Sequence, residues 1–346
     1  MKGHELSKDY FFEIAQPIIE NEFKSMLGEY AAGFVANGFT SGGGSDILGY
    51  DDEISQDHNF NARFCLFVNC ATSKNACKQL ENKINGNLPN EYRGIKSTVT
   101  TLQGGPCYVV TPEQNLMNCL SISKIPENDV DWIQVPETLL REYIAGHIYY
   151  DPAHFLSEFR NGYSYFPRNV WLKRISYSFF MLHLGGNVNR MALRGDAVAS
   201  NIYKNWFILA SLRCLHLLNK KYAPYCKWIF KSAEELEFVP VGFIRTIKEL
   251  SVNGKLEFIK DAVFDVQSML GTMANEMNLF AAIEIYKKSD FVWTDFNCYG
   301  FMQAFHDLIQ GDLAHKSPYE GPYDLISLEG NINPDIVKTA WNTLKQ

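Results

Sequence analysis

Residues 42–60 hold the groups with the clearest chemical meaning: Gly42-Gly43-Gly44-Ser45, the acids Asp46, Asp51, Asp52 and Glu53, then Asp57, His58 and Asn59. Glycine has no Cβ, so the backbone N–H groups of Gly43, Gly44 and Ser45 can approach an anion closely. Asp57 follows Ser45 by twelve residues. A carboxylate at that remove can grip a divalent cation while a triphosphate lies against the glycine turn, as metal-dependent phosphoryl and nucleotidyl transfer require. The plain structural alternative is a turn followed by a solvated acidic loop. The spacing favours chemistry over that alternative.

These residues need elements to hold them. The apolar run from Tyr30 to Ala36 reads as a buried strand entering the glycines, and the alternating run His58 to Val68 as a second strand with Asp57 at its mouth. Ahead of them, apolar residues at helical spacing over 6–27 predict a helix kinked at Pro17. Thr72 is placed to cap a polar helix over 74–85, and the β-branched run Ile95 to Leu102 reads as a third strand. Beyond Thr111 the pattern turns helical: short helices at 112–119 and 136–145, then longer ones near 168–185, 195–219, 224–235, 239–252, 255–288, 296–310 and 334–345. The expected fold is α+β. A small mixed sheet with flanking helices occupies about residues 1–120, and an α-helical bundle domain occupies 121–346. The Pro-, Gly- and Tyr-rich stretch His315–Glu329 is the candidate lid.

Composition narrows the function classes. The net charge of −7 is spread evenly: residues 1–125 carry 10 Lys/Arg and 14 Asp/Glu, the remainder 22 and 25. No basic half exists to serve as a nucleic-acid footprint, so nucleic acid is not the expected partner. Eight cysteines include no C-x-x-C pair and no His at zinc spacing, which reads as free thiols in a reducing compartment. The N-terminal stretch carries acids and does not read as a signal peptide, and no run is apolar enough to span a membrane. A cytoplasmic location is expected. The oligomeric state is not legible.

Gly44-Ser45, followed by Asp57 and Asn59 on the next strand, resembles the nucleotidyltransferase superfamily signature, a G-S turn nine to thirteen residues before a D-x-D or D-x-E pair. A wider set of motifs resembles an uncharacterised domain family allied to that superfamily: residues 44–58, Asp131-Trp132, Ile148–Asp151, Tyr165–Leu172 and Tyr222–Trp228. The layout implied is similar to that of kanamycin nucleotidyltransferase, an N-terminal nucleotidyltransferase-like sheet followed by helices. The resemblance implies transfer of a nucleoside monophosphate from an NTP to a small hydroxylated acceptor lying between sheet and helices. Gly43, Gly44 and Ser45 would hold the triphosphate, and Asp57 would be the catalytic, Mg²⁺-holding acid. Asn59 occupies the second metal-ligand position.

The chain departs from the signature in two places. Asn59 replaces a carboxylate and offers a neutral oxygen, and the strand expected to carry a third acid, around Thr98, has none. Two explanations stand side by side. Asp46, Asp51, Asp52 or Glu53 supply the missing charge, or the fold binds a nucleotide or phosphorylated ligand without chemistry. Arg168, at a helix start, is a cation that could reach a triphosphate, and the resemblance implies the same for Lys227, one of a cluster with Lys220, Lys221 and Lys231 that otherwise reads as solvated surface. Arg194 and Asp196 form a candidate substrate wall, although Asp196 also fits a helix cap.

Overall fold

The computed structural model describes residues 1–35, 44–57, 60–69, 72–97, 105–288 and 294–322, with only the backbone of residues 56, 57, 288, 294 and 295. Contacts divide the chain into two units. Among the described residues, unit 1 comprises 1–126 and 135–164, and unit 2 comprises 127–134 and 165–322.

Unit 1 opens with α1 (Gly3–Tyr10), whose helical path continues to Leu27 through two π-helical stretches, Phe11–Ala15 and Ile19–Phe23. Pro17 lies in the short α segment between them, and the widened turns accommodate its missing N–H. The chain then forms β1 (Tyr30–Phe34), α2 (Ser45–Leu48), β2 (Phe64–Val68) and α3 (Lys74–Asn85). Ser73, one residue after the expected Thr72, caps α3 by accepting from the Ala76 N–H at 3.2 Å. A hairpin of β3 (Glu91–Tyr92) and β4 (Ile95–Lys96) follows, then β5 (Cys107–Val110) and α4 (Pro112–Leu120). After α5 (Asp129–Trp132), which belongs to unit 2, come α6 (Glu137–Ala145), β6 (His147–Tyr150) and α7 (Phe155–Asn161).

The four-stranded sheet runs β5-β2-β1-β6. β1 is antiparallel to both β2 and β6, while β2 and β5 are parallel, so the sheet is mixed as expected. Alternation along the strands sorts two cores. Tyr30, Ala32, Phe64, Leu66 and Val68 face the core shared with α1 and α3, and Ala31, Cys65 and Phe67 face the one that includes Leu156 of α7. A register shift falls between Ala32 and Gly33, where a Cβ on Gly33 would stand 2.8 Å from the His147 carbonyl oxygen. Only glycine lets β6 lie this close. Because β6 pairs with β1, unit 1 takes in residues 135–164, beyond the boundary near 120 expected from composition.

The strand at the outer edge of this sheet, β5, is closed by side chains of α3. Asn85 donates from Nδ2 to the Cys107 carbonyl at 2.8 Å and accepts from the Cys107 N–H at 2.9 Å, and Glu81 Oε2 accepts from the Val109 N–H at 3.2 Å.

Two strand expectations are corrected. β2 begins at Phe64, not His58, and Asp57 ends a 3₁₀ turn, Ile54–Asp57, rather than standing at a strand mouth. The backbone between them is bonded elsewhere: Ser7 Oγ donates to the Asn61 carbonyl at 3.5 Å and accepts from the Arg63 N–H at 3.2 Å. Residues 95–96 belong to a small hairpin, and the third strand of the main sheet is β5. Arg93 and Gly94 have φ of 51° and 78°, the pair of positive values that a tight two-residue hairpin needs.

Unit 2 is helical: α8 (Arg168–Met181), α9 (Leu184–Leu193), α10 (Ala197–Leu218), α11 (Cys226–Glu234), α12 (Phe243–Val252), α13 (Leu256–Glu276) and α14 (Cys298–His306). α8 packs on α10 and α14, and α10 on α9, α11, α12 and α13. Phe179 anchors the α8–α14 contact, stacked at 5.0 Å on Phe301 and 5.5 Å on Phe305. The helix expected over 255–288 stops at Glu276, and the chain returns as a hairpin of β7 (Tyr286–Lys288) and β8 (Thr294–Phe296). Asn278 adopts a left-handed φ of 53°, and Asn275 bonds both the N–H and the carbonyl of Ile283 at 2.9 Å. The helix expected near 334–345 lies outside the described residues.

Candidate functional site

The turn that opens α2 stands at the end of β1. Phe34 pairs with His147 at the start of β6, and Gly33 with Cys65 near the start of β2, so three strand ends meet where the chain enters residues 36–43. Gly44 precedes α2 with extended backbone (φ −66°, ψ 139°). A Cβ there would fall 1.9 Å from Asp46 Oδ1, so the turn admits glycine alone without displacing Asp46. Ser45 begins the helix, and its hydroxyl makes no hydrogen bond among the described residues. Gly43 and Asn59 lie outside the described residues, and Asp57 is described by its backbone only.

The clustered acids divide into engaged and free. Asp46 is buried; its Oδ2 meets Arg63 Nη2 at 2.7 Å and its Oδ1 accepts from the Ile47 N–H at 2.8 Å. Arg63 in turn lies over the Phe34 ring, 4.8 Å from its centre. Asp51 is buried too, with Oδ2 accepting from the Gly3 N–H at 2.8 Å and Oδ1 3.6 Å from Lys2 Nζ. Those contacts fasten the start of α1 to the loop. Asp52 Oδ1 accepts from the N–H and hydroxyl of Ser55 at 2.9 and 2.7 Å, holding the 3₁₀ turn. Glu53 alone of these four makes no hydrogen bond or ion pair among the described residues, and it is exposed.

For a divalent cation the donor set is thin. Among the described residues no three His, Cys, Asp or Glu side chains gather as a metal site. β5, the strand that stands third in the sheet, reads Cys107-Tyr108-Val109-Val110 and carries no acid, so the third carboxylate is missing from the observed strand as well as from the expected one. The described residues do not by themselves make an Mg²⁺ site.

Sequence reasoning missed two features at this end of the sheet. Arg63 was read as part of a strand, yet a lone cation between a buried Asp46 and an aromatic ring organises the turn. His4 and His147, 143 positions apart in the chain, stack with ring centres 4.1 Å apart and planes within 6°. Burial, then the neighbouring His4, Arg160 and Lys8, hold His147 below the usual histidine range, which keeps it neutral near pH 7. No local pattern announces such a pair.

The remaining expected residues belong to unit 2. Arg168 is exposed in the first turn of α8, and Lys227 is exposed at the start of α11 with its ammonium 5.2 Å from the Trp228 ring centre. Asp196 caps α10, accepting from the Ala199 N–H at 2.9 Å, and Arg194 closes α9 with Nη1 3.8 Å from Met191 Sδ. The cap therefore accounts for Asp196. The candidate lid is pinned over its described part: the Lys173 ammonium donates to the Ser317 carbonyl, and Tyr319 packs on Phe180 at 5.4 Å. No helix among the described residues is long and apolar enough to cross a membrane.

None of the curated proteins compared with the chain matches it. Among solved structures, a crystal structure of a nucleotidyltransferase-like protein from Exiguobacterium sibiricum 255-15 is similar at 12% identity, over 75% of each chain, with a TM-score of 0.33. A likeness so loose transfers no residue roles. Residues 132–229 match the family model for a domain of unknown function, DUF4037, a span that holds α6, β6 and α7 of unit 1 and α8–α10 and the start of α11 of unit 2 but neither Gly44-Ser45 nor Asp57. That match over residues 132–229 is in keeping with the resemblance, read from the motifs, to an uncharacterised domain family allied to nucleotidyltransferases.

Proposed function

We propose that unit 1 binds a nucleoside triphosphate at the Gly43-Gly44-Ser45 turn and transfers its nucleoside monophosphate to a small hydroxylated acceptor. The observation that carries this reading is the division of labour in the loop. Asp46, Asp51 and Asp52 are spent on holding the turn and the start of α1, while the Ser45 hydroxyl and the Glu53 carboxylate have no partner among the described residues. A hydroxyl and backbone amides suit a phosphate, and two acids four positions apart, Glu53 and Asp57, suit the Mg²⁺ that the nucleotide carries in. The acceptor hydroxyl gives its proton to a general base, which the described residues do not identify, as its oxygen bonds to the α-phosphorus. The bond from that phosphorus to the bridging oxygen breaks, pyrophosphate leaves, and positioning supplies much of the acceleration.

A second reading has its own support. With Asn59 in place of an acid and no carboxylate on β5, the site lacks the charge that two-metal chemistry uses, and the fold would bind a nucleotide without turning it over. Thermal-shift titration with each NTP, with and without Mg²⁺, beside a transfer assay that follows pyrophosphate release, separates the two. Transfer is expected to need Mg²⁺ and to fall by at least about 100-fold in Asp57→Asn, with a smaller loss in Glu53→Gln. Stabilisation indifferent to Mg²⁺ and to Asp57→Asn, with no pyrophosphate released, establishes the binder. Silence toward every nucleotide overturns both.

A further inference from the structure

α10 is apolar around most of its circumference, which for a helix of 22 residues calls for cover on all sides. Its inner residues have that cover: Phe207, Cys214 and Leu215 are fully buried. Ile202 and Trp206 do not, at 46% and 40% exposed. Beside them a cavity of about 670 Å³ opens between α10, α11 and α12, walled mainly by apolar side chains such as Trp206, Leu209, Ile229 and Phe230. All of it lies within unit 2. That volume falls inside the range of small-molecule sites, and the mixture fits them too: an apolar wall with a few polar groups to fix orientation.

The polar side chains of its lining are Asn205, Lys248 and Ser251, and Lys248 is the one that carries charge. Lys248 lines the cavity from α12, is exposed, and makes no ion pair among the described residues. One turn on, the Ser251 hydroxyl donates to the Lys248 carbonyl at 2.7 Å. No carboxylate lines the cavity. We propose that this cavity binds an amphipathic monoanion, an apolar chain enclosed by α10, α11 and α12 with its anionic head at Lys248. The charge at the rim selects the head, and the apolar wall selects the body. The inference is independent of the nucleotide reading of unit 1.

Calorimetric titration of the full chain with octanoate, decanoate and dodecanoate, beside the matching alcohols, tests it. One-to-one binding is expected, tightening about fourfold with each added methylene until the cavity is full and then levelling off. Lys248→Met should weaken the carboxylates about five- to tenfold and leave the alcohols unchanged. Leu209→Trp, which fills the cavity, should weaken every ligand at least about tenfold, and Leu209→Phe does the same more gently should the larger variant misfold. The proposal is overturned by three outcomes: no saturable binding to the wild type, affinity unchanged by cavity filling, or equal losses for acids and alcohols in Lys248→Met. It is overturned also if sedimentation shows a dimer that Trp206→Glu dissolves, because the face is then an interface between copies.

Discussion

Both units bury charge, and they satisfy it with opposite ends of the peptide group. At the sheet end of unit 1 the buried groups are acids, and backbone N–H groups reach them: Gly3 to Asp51, Ile47 to Asp46. In unit 2 the buried groups are bases, and backbone carbonyls receive them: Ser317 from Lys173, Asn253 from Lys204, Ile133 from Arg174. The difference separates two jobs. A carboxylate held by its own loop, with Arg63 beside it, fixes the geometry of a turn. An ammonium held by a single distant carbonyl staples two segments and keeps a titratable proton.

Breaking the acidic side should have the largest effect. Asp46→Ala removes the buried carboxylate that receives Arg63 and the Ile47 N–H, and chemical denaturation is expected to show a loss of about 3 kcal/mol. The double replacement with Arg63→Ala should lose clearly less than the sum of the singles; additivity would mean that the pair does not act as one. Next comes Lys173. Burial lowers its pKa to about 8, against an ordinary value of 10.5, so the unfolded chain binds the proton more tightly between those values. The contribution of this lysine to stability therefore rises with pH from about 8 to 10.5 and is lost as pH falls through 8. Wild type minus Lys173→Met, followed by melting at pH 7.5 to 10.5, should shift in favour of the wild type by on the order of 1–3 kcal/mol across that window. A flat difference would show the ammonium to be solvated. The smallest effect belongs to the exposed cap: Asp196→Ala should lose about 1 kcal/mol and leave any nucleotide response intact. A change in that response would restore Asp196 to the substrate wall.

How far the sequence could be read depends on the range of the interaction. Helices with local signals were clear: Thr111 and Gln114 form a capping box for α4, and Pro167 and Arg168 mark the start of α8. Strands were clear where the apolar run was long, as in β1, or alternation was, as in β2, and failed where a side chain from elsewhere replaced the ladder, as Ser7 does ahead of Phe64. The short β6 carried too few residues to show a period, although it ties residues 147–150 to β1. The glycine turn was visible because its chemistry is local. Which of its acids were already engaged was not, since Lys2, Gly3 and Arg63 approach from other elements.

Asn85 and Glu81 carry a consequence for the protein in company. By engaging the Cys107 N–H and carbonyl and the Val109 N–H, they hinder a neighbouring chain from adding a strand at the β5 edge. An alanine at 85 would uncover part of that edge while barely touching the hydrophobic interior, so the defect should appear as slow, concentration-dependent clouding of a solution whose dilute melting curve looks almost normal.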